Sequence, residues 1–105
     1  MESYLILTSD SAQKDIENQF AWFYTNRGFT HAMNWYEKTS AAINGLAHWP
    51  VRWQKVWFNG QRLHRMLVDS NTLVFYTIDE KKKHVIVNAI RGAAEDWSNQ
   101  AIPGD

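Results

Sequence analysis

Side chains that commonly carry chemistry are scarce in this 105-residue sequence, and their spacing predicts no specific reaction. There is no cysteine, which excludes disulfides and thiol chemistry. The four histidines, at positions 31, 48, 64 and 84, lack the spacing of metal ligands, so we expect no metal site. The sequence has no glycine-rich phosphate loop, nucleophile elbow or acidic pair at catalytic spacing, and we expect no cofactor.

Basic residues recur in the last third of the sequence, among them Arg62, His64, Arg65 and Arg91. Side chains alternate between the two faces of a strand, so one face would carry Leu63, Arg65 and Leu67, and the other Arg62, His64, Met66 and Val68. Both faces are equally apolar, so the sequence leaves open which one packs against the helices. For these arginines a solvated or partner-binding role is more common than catalysis, and for His64 a structural role.

Six tryptophans are too many for a chain of this size to bury, so some are expected on a contact surface. Trp35 lies on the apolar stripe of a predicted helix and is expected in the core. Trp22 lies off the stripe of its helix, which favours an interface. Trp53 and Trp57 fit a small core beneath a loop and an exposed patch equally well.

A meander from Arg62 to Arg91 must position the basic side chains. Its strands are predicted at Arg62–Val68, Thr72–Ile78 and His84–Ile90, because β-branched and aromatic residues dominate there. Asp, Ser, Asn and Lys fill the turns at 69–71 and 79–83. A meander of this size needs another element to cover one of its faces.

The first half of the chain supplies that cover. Tyr4–Thr8 predicts a strand, and the capping residues that follow it begin a helix to about Arg27, which Gly28 ends. Thr30 is predicted to cap a second helix to about Leu46. The short connection makes the two helices an antiparallel pair.

Two stretches have weaker patterns. Val51–Gly60 ends in Asn59-Gly60, a type I′ turn signal, so it predicts either a short strand paired with the meander or an ordered loop. Ala93–Trp97 predicts one helical turn, followed by a flexible tail at 98–105.

The fold class is therefore α+β, in the order β-α-α-β-β-β or with a fourth strand after the helices. An antiparallel helical hairpin packs on a small, mainly antiparallel sheet whose other face is partly open. We expect a single domain over 1–105, with an ordered core at about 4–97. No signal peptide or run of 18 apolar residues is present, so we expect a cytoplasmic protein that does not contact a membrane.

The charge balance is neutral, with 11 basic and 11 acidic residues. This argues against nucleic-acid binding through bulk charge, although a local basic face is compatible with it.

An ordered set of short motifs resembles the RelE/ParE superfamily of bacterial type II toxins over about residues 4–97. It comprises LILT in the first strand, Ser9–Ala12 and Asp15-Ile16 in the first helix, Ala32 and Trp35 in the second, Ile43, Leu46 and Pro50 after it, Gly60–Arg62, LVFYTI at Leu73–Ile78, and VIVNAIR ending at Arg91.

The resemblance implies a toxin that a cognate antitoxin protein neutralises. RelE-like members cleave mRNA on the ribosome, whereas ParE-like members block DNA gyrase. Neither implies a small-molecule substrate. The antitoxin or target would bind the tryptophans expected at the surface: Trp22, Trp53, Trp57 and Trp97.

Cleavage of RNA through its 2′-hydroxyl needs a base, a cation and an acid at one phosphate. Arg62, His64, Arg65 and Arg91, with the ring of Trp97, are the candidates. Cleaving members have arginine where this chain has Thr72. They often place a tyrosine or histidine where it has Trp97, whose indole is neither acid nor base. Leu63 and Arg65 replace a pair of lysines.

These departures place the chain nearer the ParE-like branch. The preferred function is a toxin that binds DNA gyrase. The alternatives are a ribosome-dependent mRNA endonuclease and a non-toxic interaction module on the same fold.

Overall fold

The computed structural model describes residues 3–69 and 71–92, which form two helices and a five-stranded sheet. In chain order the elements are β1 (Leu5–Thr8), α1 (Asp10–Arg27), α2 (Phe29–Gly45), a short 3₁₀ helix (Pro50–Arg52), β2 (Lys55–Phe58), β3 (Gln61–Leu67), β4 (Thr72–Asp79) and β5 (His84–Gly92). The predicted α+β order is confirmed, and four strands follow the helices because β2 precedes the three strands of the meander. The predicted helical turn at Ala93–Trp97 and the tail lie outside the described residues.

Helix α1 begins and ends where the sequence predicted. Ser9 is its N-cap, and the Ser9 Oγ accepts a hydrogen bond from the Ala12 backbone N–H at 3.0 Å. Asp10 lies in the first turn, where the helix dipole favours negative charge. At the other end, the Gly28 N–H donates to the Tyr24 carbonyl at 3.1 Å.

The prediction that Thr30 caps the second helix was wrong. Helix α2 begins at Phe29, directly after Gly28, and no side chain caps it. The Gly28 carbonyl accepts from the Ala32 N–H at 3.1 Å, so one glycine ends the first helix and starts the second. Its φ of 94° is open to glycine but strained for other residues, and it makes the reversal between the helices very tight.

The sheet has the strand order β1-β5-β4-β3-β2. Strand β1 pairs parallel to β5, with Leu5 opposite His84, and the other three pairings are antiparallel. Asn59 and Gly60 join β2 to β3 with φ values of 51° and 86°, as a type I′ turn requires. Of the two alternatives that the sequence left open for this stretch, a short strand and an ordered loop, the structure has the strand.

The main core lies between the two helices and one face of the sheet. Its buried members are Ala12, Trp35, Ile43, Leu46, Met66, Val74, Tyr76, Val85, Val87 and Ile90. Trp35 is 7% exposed, which confirms it as a core residue. Met66 belongs to this cluster, so the helices cover the face of β3 that also carries His64. That resolves the alternative left open by the sequence.

A second, smaller cluster lies on the sheet face away from the helices. It consists of Phe58, Leu63, Leu73, Phe75 and Ala89, each at most 5% exposed. The rings of Phe58 and Phe75 stack with centroids 4.3 Å apart. Over the described ranges, neither helix is long and apolar enough to cross a membrane.

Candidate functional site

The four basic residues singled out in the sequence lie on opposite faces of the sheet. Arg62 and His64 share the helix-side face of β3 with Met66. Arg65 pairs with Phe75 in the register of β3 and β4, and it shares the other face with that residue. Arg91, opposite Leu73 in β5, also lies on the other face. The structure therefore places two of these residues on each face of the sheet and does not gather the four in one site.

His64 is held tightly on the helix side. Its imidazole is 9% exposed and stacks on Tyr76 with ring centroids 5.1 Å apart. Its Nδ1 lies 2.6 Å from the Trp53 carbonyl oxygen. A carbonyl only accepts hydrogen bonds, so Nδ1 carries a proton and donates it. The ring thereby fastens the segment before β2 to the sheet, which is a structural role.

Tyr76 continues this buried polar chain. Burial raises the pKa of its phenol far above the ordinary value, with Arg52 acting weakly in the opposite direction. The hydroxyl therefore stays protonated at all physiological pH values and donates to the Pro50 carbonyl at 2.5 Å. His64 and Tyr76 together hold down the stretch from Pro50 to Trp53.

Arg62 lies at the rim of a cavity of about 320 Å³ on the same side of the sheet. The cavity wall includes His64, Lys55 and Glu80. The guanidinium of Arg62 lies 5.5 Å from the ring centroid of Trp57, a cation–π distance. Lys55 and Glu80 were missed by sequence reasoning, because only the pairing of β2 with β3 places Lys55 opposite His64.

Arg91, on the other face, is fixed by an ion pair with helix α1. Its Nη1 lies 2.6 Å from the Asp15 Oδ2, and both side chains are about a fifth exposed. The same Asp15 oxygen accepts from the Ile90 N–H at 3.0 Å, and the Gln19 amide donates to the Ile90 carbonyl at 3.2 Å. Helix α1 thus satisfies the backbone of β5 beyond the end of β1. The Arg91 guanidinium also lies 5.3 Å from the Phe58 ring centroid.

Thr72, which stands where cleaving RelE-like members have arginine, is a core residue. It is 1% exposed, and its Oγ1 accepts a hydrogen bond from the Trp35 indole Nε1 at 2.9 Å. An arginine would have no space to replace it without displacing Trp35. The buried hydrogen bond gives Thr72 a packing role.

Of the tryptophans expected to bind a partner, Trp22 and Trp57 are half exposed, at 53% and 50%. Trp53 is partly buried against the main core, with the Arg52 guanidinium 5.0 Å from its ring. Trp97 lies outside the described residues. The partner-binding role of all four stays a prediction.

Further aromatic side chains on the helical hairpin were not singled out in the sequence. Phe29, Tyr24 and Tyr36 are 59%, 54% and 42% exposed, and Phe20 contacts both tyrosines edge-on or tilted at 6.3–6.4 Å. In the described ranges, no three His, Asp or Glu side chains are grouped to hold a metal ion.

Sequence comparisons identify no relatives: no family model matches the chain, and no curated protein does. Solved structures match in fold. A chain of the chromosomal ParDE toxin–antitoxin system from P. aeruginosa superposes with a TM-score of 0.71 at 9% identity, over 86% of this chain and 96% of that one.

Two further structures match in the same way. A chain of the archaeal RelE–RelB complex from Pyrococcus horikoshii OT3 has a TM-score of 0.57 at 13% identity, over 89% and 98% of the two chains. A chain of the toxin–antitoxin complex RelBE2 from Mycobacterium tuberculosis has a TM-score of 0.58 at 16% identity, over 90% and 97%. At these identities the likeness concerns the fold, and the chain has the fold that solved ParDE and RelE–RelB structures share.

Proposed function

We propose that the protein is the toxin of a type II toxin–antitoxin system. It stops growth in the bacterial cytoplasm by binding a macromolecular target, with DNA gyrase preferred, and a cognate antitoxin neutralises it. The fold match over most of both chains supports this, because the three matching structures described above come from toxin–antitoxin systems. The preference for gyrase follows the residues that place the chain nearer the ParE-like branch.

The separation of the four basic residues onto two faces carries the preference for binding over cleavage. A base, a cation and an acid must converge on one phosphate to cleave RNA. Here the sheet itself stands between the pair Arg62 and His64 and the pair Arg65 and Arg91. The Arg91 guanidinium is also engaged by Asp15. A toxin that acts by binding needs no such convergence.

One observation favours the alternative, a ribosome-dependent mRNA endonuclease. Lys55, Arg62 and His64 line one cavity, so cations do gather near a histidine on the helix side. If this group cleaves RNA, His64→Ala abolishes both transcript cleavage and toxicity. If the toxin acts by binding gyrase, the growth arrest persists in every His64→Ala chain that still folds.

The deciding experiment expresses the chain from an inducible promoter and follows growth, plasmid supercoiling and transcript integrity together. We expect growth arrest, relaxed plasmid and intact transcripts, and rescue by the small gene that adjoins this one. In vitro, the purified chain should block supercoiling by gyrase, with relaxation by topoisomerase I as the control reaction.

Other outcomes separate the candidates. Discrete transcript cleavage with normal supercoiling would refute gyrase as the target and favour the endonuclease. Undisturbed growth in every host tested would refute toxicity and favour a non-toxic interaction module.

A further inference from the structure

The net charge of the chain is neutral, but one segment of it is basic and rich in aromatic residues. Residues 38–68 contain no Asp or Glu but carry five cations: Lys38, Arg52, Lys55, Arg62 and Arg65. The same segment holds three of the six tryptophans, at positions 49, 53 and 57. Basic residues interleaved with aromatic ones are typical of surfaces that bind nucleotides, since cations hold phosphates and rings stack on bases.

The β2–β3 hairpin arranges part of this segment as a block on one sheet face. Lys55 lies opposite His64, and Trp57 lies opposite Arg62, so the four side chains occupy two adjacent cross-strand pairs. Trp57 is half exposed, and Lys55 and Arg62 are exposed. Beneath them is the cavity of about 320 Å³, which is at the small end of the range for ligand pockets.

The cations of this block are available to an anion. Within the described residues neither Lys55 nor Arg62 forms an ion pair. Glu80 is the acidic residue on the cavity wall, and its carboxylate already accepts from the Tyr4 hydroxyl at 2.9 Å and the Lys83 Nζ at 3.3 Å. The cavity rim is therefore positively charged.

We propose that this block binds a nucleoside phosphate unit, with the base stacked on Trp57 and the phosphate held between Lys55 and Arg62. The unit is one nucleotide, either free or within a single-stranded nucleic acid. The site is assigned a binding role only, with no catalytic role for His64. It does not rest on the proposed toxin function.

The test measures binding of a fluorescent ten-nucleotide oligodeoxythymidine by anisotropy and of AMP by calorimetry. DNA has no 2′-hydroxyl, so cleavage through that group cannot obscure binding. We expect Trp57→Ala and Lys55→Ala each to weaken oligonucleotide binding about tenfold. Lys81→Ala, which removes an exposed lysine in the β4–β5 turn, is the control for net charge and should change affinity less than twofold.

The dependence of affinity on salt separates the role of Lys55, which holds the phosphate, from that of Trp57, which stacks on the base. For a single strand, each phosphate contact contributes about 0.7 to the slope of log affinity against log salt. Lys55→Ala should lower that slope by about this amount, whereas Trp57→Ala should leave it unchanged because stacking releases no counterion.

The ligands distinguish the source of the phosphate. Oligonucleotide binding far tighter than AMP binding assigns the site to single strands, and equal affinity for both assigns it to a free nucleotide. The proposal is overturned if neither probe binds, or if Lys81→Ala weakens binding as much as Lys55→Ala. Circular dichroism confirms that each variant is folded.

Discussion

Two buried threonines differ in whether the side-chain hydroxyl forms a hydrogen bond. Thr72 is 1% exposed and accepts a hydrogen bond from the Trp35 indole. Thr39 in α2 is 2% exposed, and its Oγ1 has no hydrogen-bond partner among the described residues. Burying a polar group costs free energy unless a hydrogen bond offsets the loss of water. Thr72 therefore stabilises the fold through its hydroxyl, and Thr39 does not.

Substitution by valine, which has nearly the same shape, isolates the hydroxyl. Thr72→Val should lower the free energy of unfolding by about 1–3 kcal/mol, because it leaves the indole N–H buried without an acceptor. Thr39→Val should leave the stability unchanged or raise it. Urea unfolding followed by circular dichroism measures both. Equal losses in the two variants would show that the Trp35–Thr72 hydrogen bond contributes nothing.

At the scale of the elements, the sharp reversal of the chain between the two helices depends on a single residue. Gly28 connects α1 to α2 alone, at a φ of 94°. Gly45, the last residue of α2, has no such requirement. A Cβ added to either glycine would meet no atom within 4 Å, so the two positions differ in backbone strain and not in space.

Alanine at these two positions should therefore have opposite effects. Gly28→Ala should destabilise the protein by about 1–2 kcal/mol, since a Cβ disfavours positive φ. Gly45→Ala should stabilise it by about 0.5–1 kcal/mol, because alanine loses less backbone entropy in a helix. Thermal unfolding reports the difference as melting temperatures shifted in opposite directions. Similar shifts for both would show that the hairpin tolerates strain at Gly28.

Local patterns predicted most of these elements. The capping residues at 8–10 and Gly28 marked the two ends of α1, and β-forming residues between turn residues predicted β3, β4 and β5 to within two residues at each end. The predicted start of α2 at Thr30 was wrong because threonine is a good capping residue in isolation, whereas in this chain Gly28 has already reversed the direction of the backbone. Strand β2 was ambiguous because Trp57 places a large apolar ring on the same face as Lys55, so the strand does not separate into a polar and an apolar face.

The arrangement of the site was beyond prediction for a different reason. Leu63 and Leu67 on one face of β3 are as apolar as Met66 and Val68 on the other, so hydrophobicity cannot choose the face that meets the helices. That choice decides which basic residues share a surface. It depends on how Met66 fits against the helices, which is a property of three-dimensional packing and not of strand alternation.

On the scale of the whole molecule, the exposed aromatic side chains are candidates for the surface that a partner would cover. Phe29, Tyr24 and Trp22 are more than half exposed on the helical hairpin, a costly arrangement for a chain that stays alone. Trp49, after α2, is equally exposed at 63% and supplies a matched comparison.

If the antitoxin covers the hairpin, Trp22→Ala should weaken its binding about tenfold or more, since tryptophan often dominates interface energies. Trp49→Ala should change the affinity less than threefold. Calorimetry with the product of the adjoining gene measures both, and the unfolding free energy should stay within about 0.5 kcal/mol of the original in each. A larger effect at Trp49 would place the antitoxin on the other end of α2.

The parallel pairing of β1 with β5 has a consequence for the order in which the protein folds during its synthesis. Strand β1 cannot pair until β5 has been synthesised, because Leu5 pairs with His84, 79 residues later, and this wait is set by the rate of translation. At the usual pace of synthesis that wait lasts roughly 4–16 s. Meanwhile the helical hairpin can form locally, but its apolar side has no sheet to cover it. The fold is therefore completed by one of its most distant pairings in the sequence, and the sheet cannot close until β5 has left the ribosome.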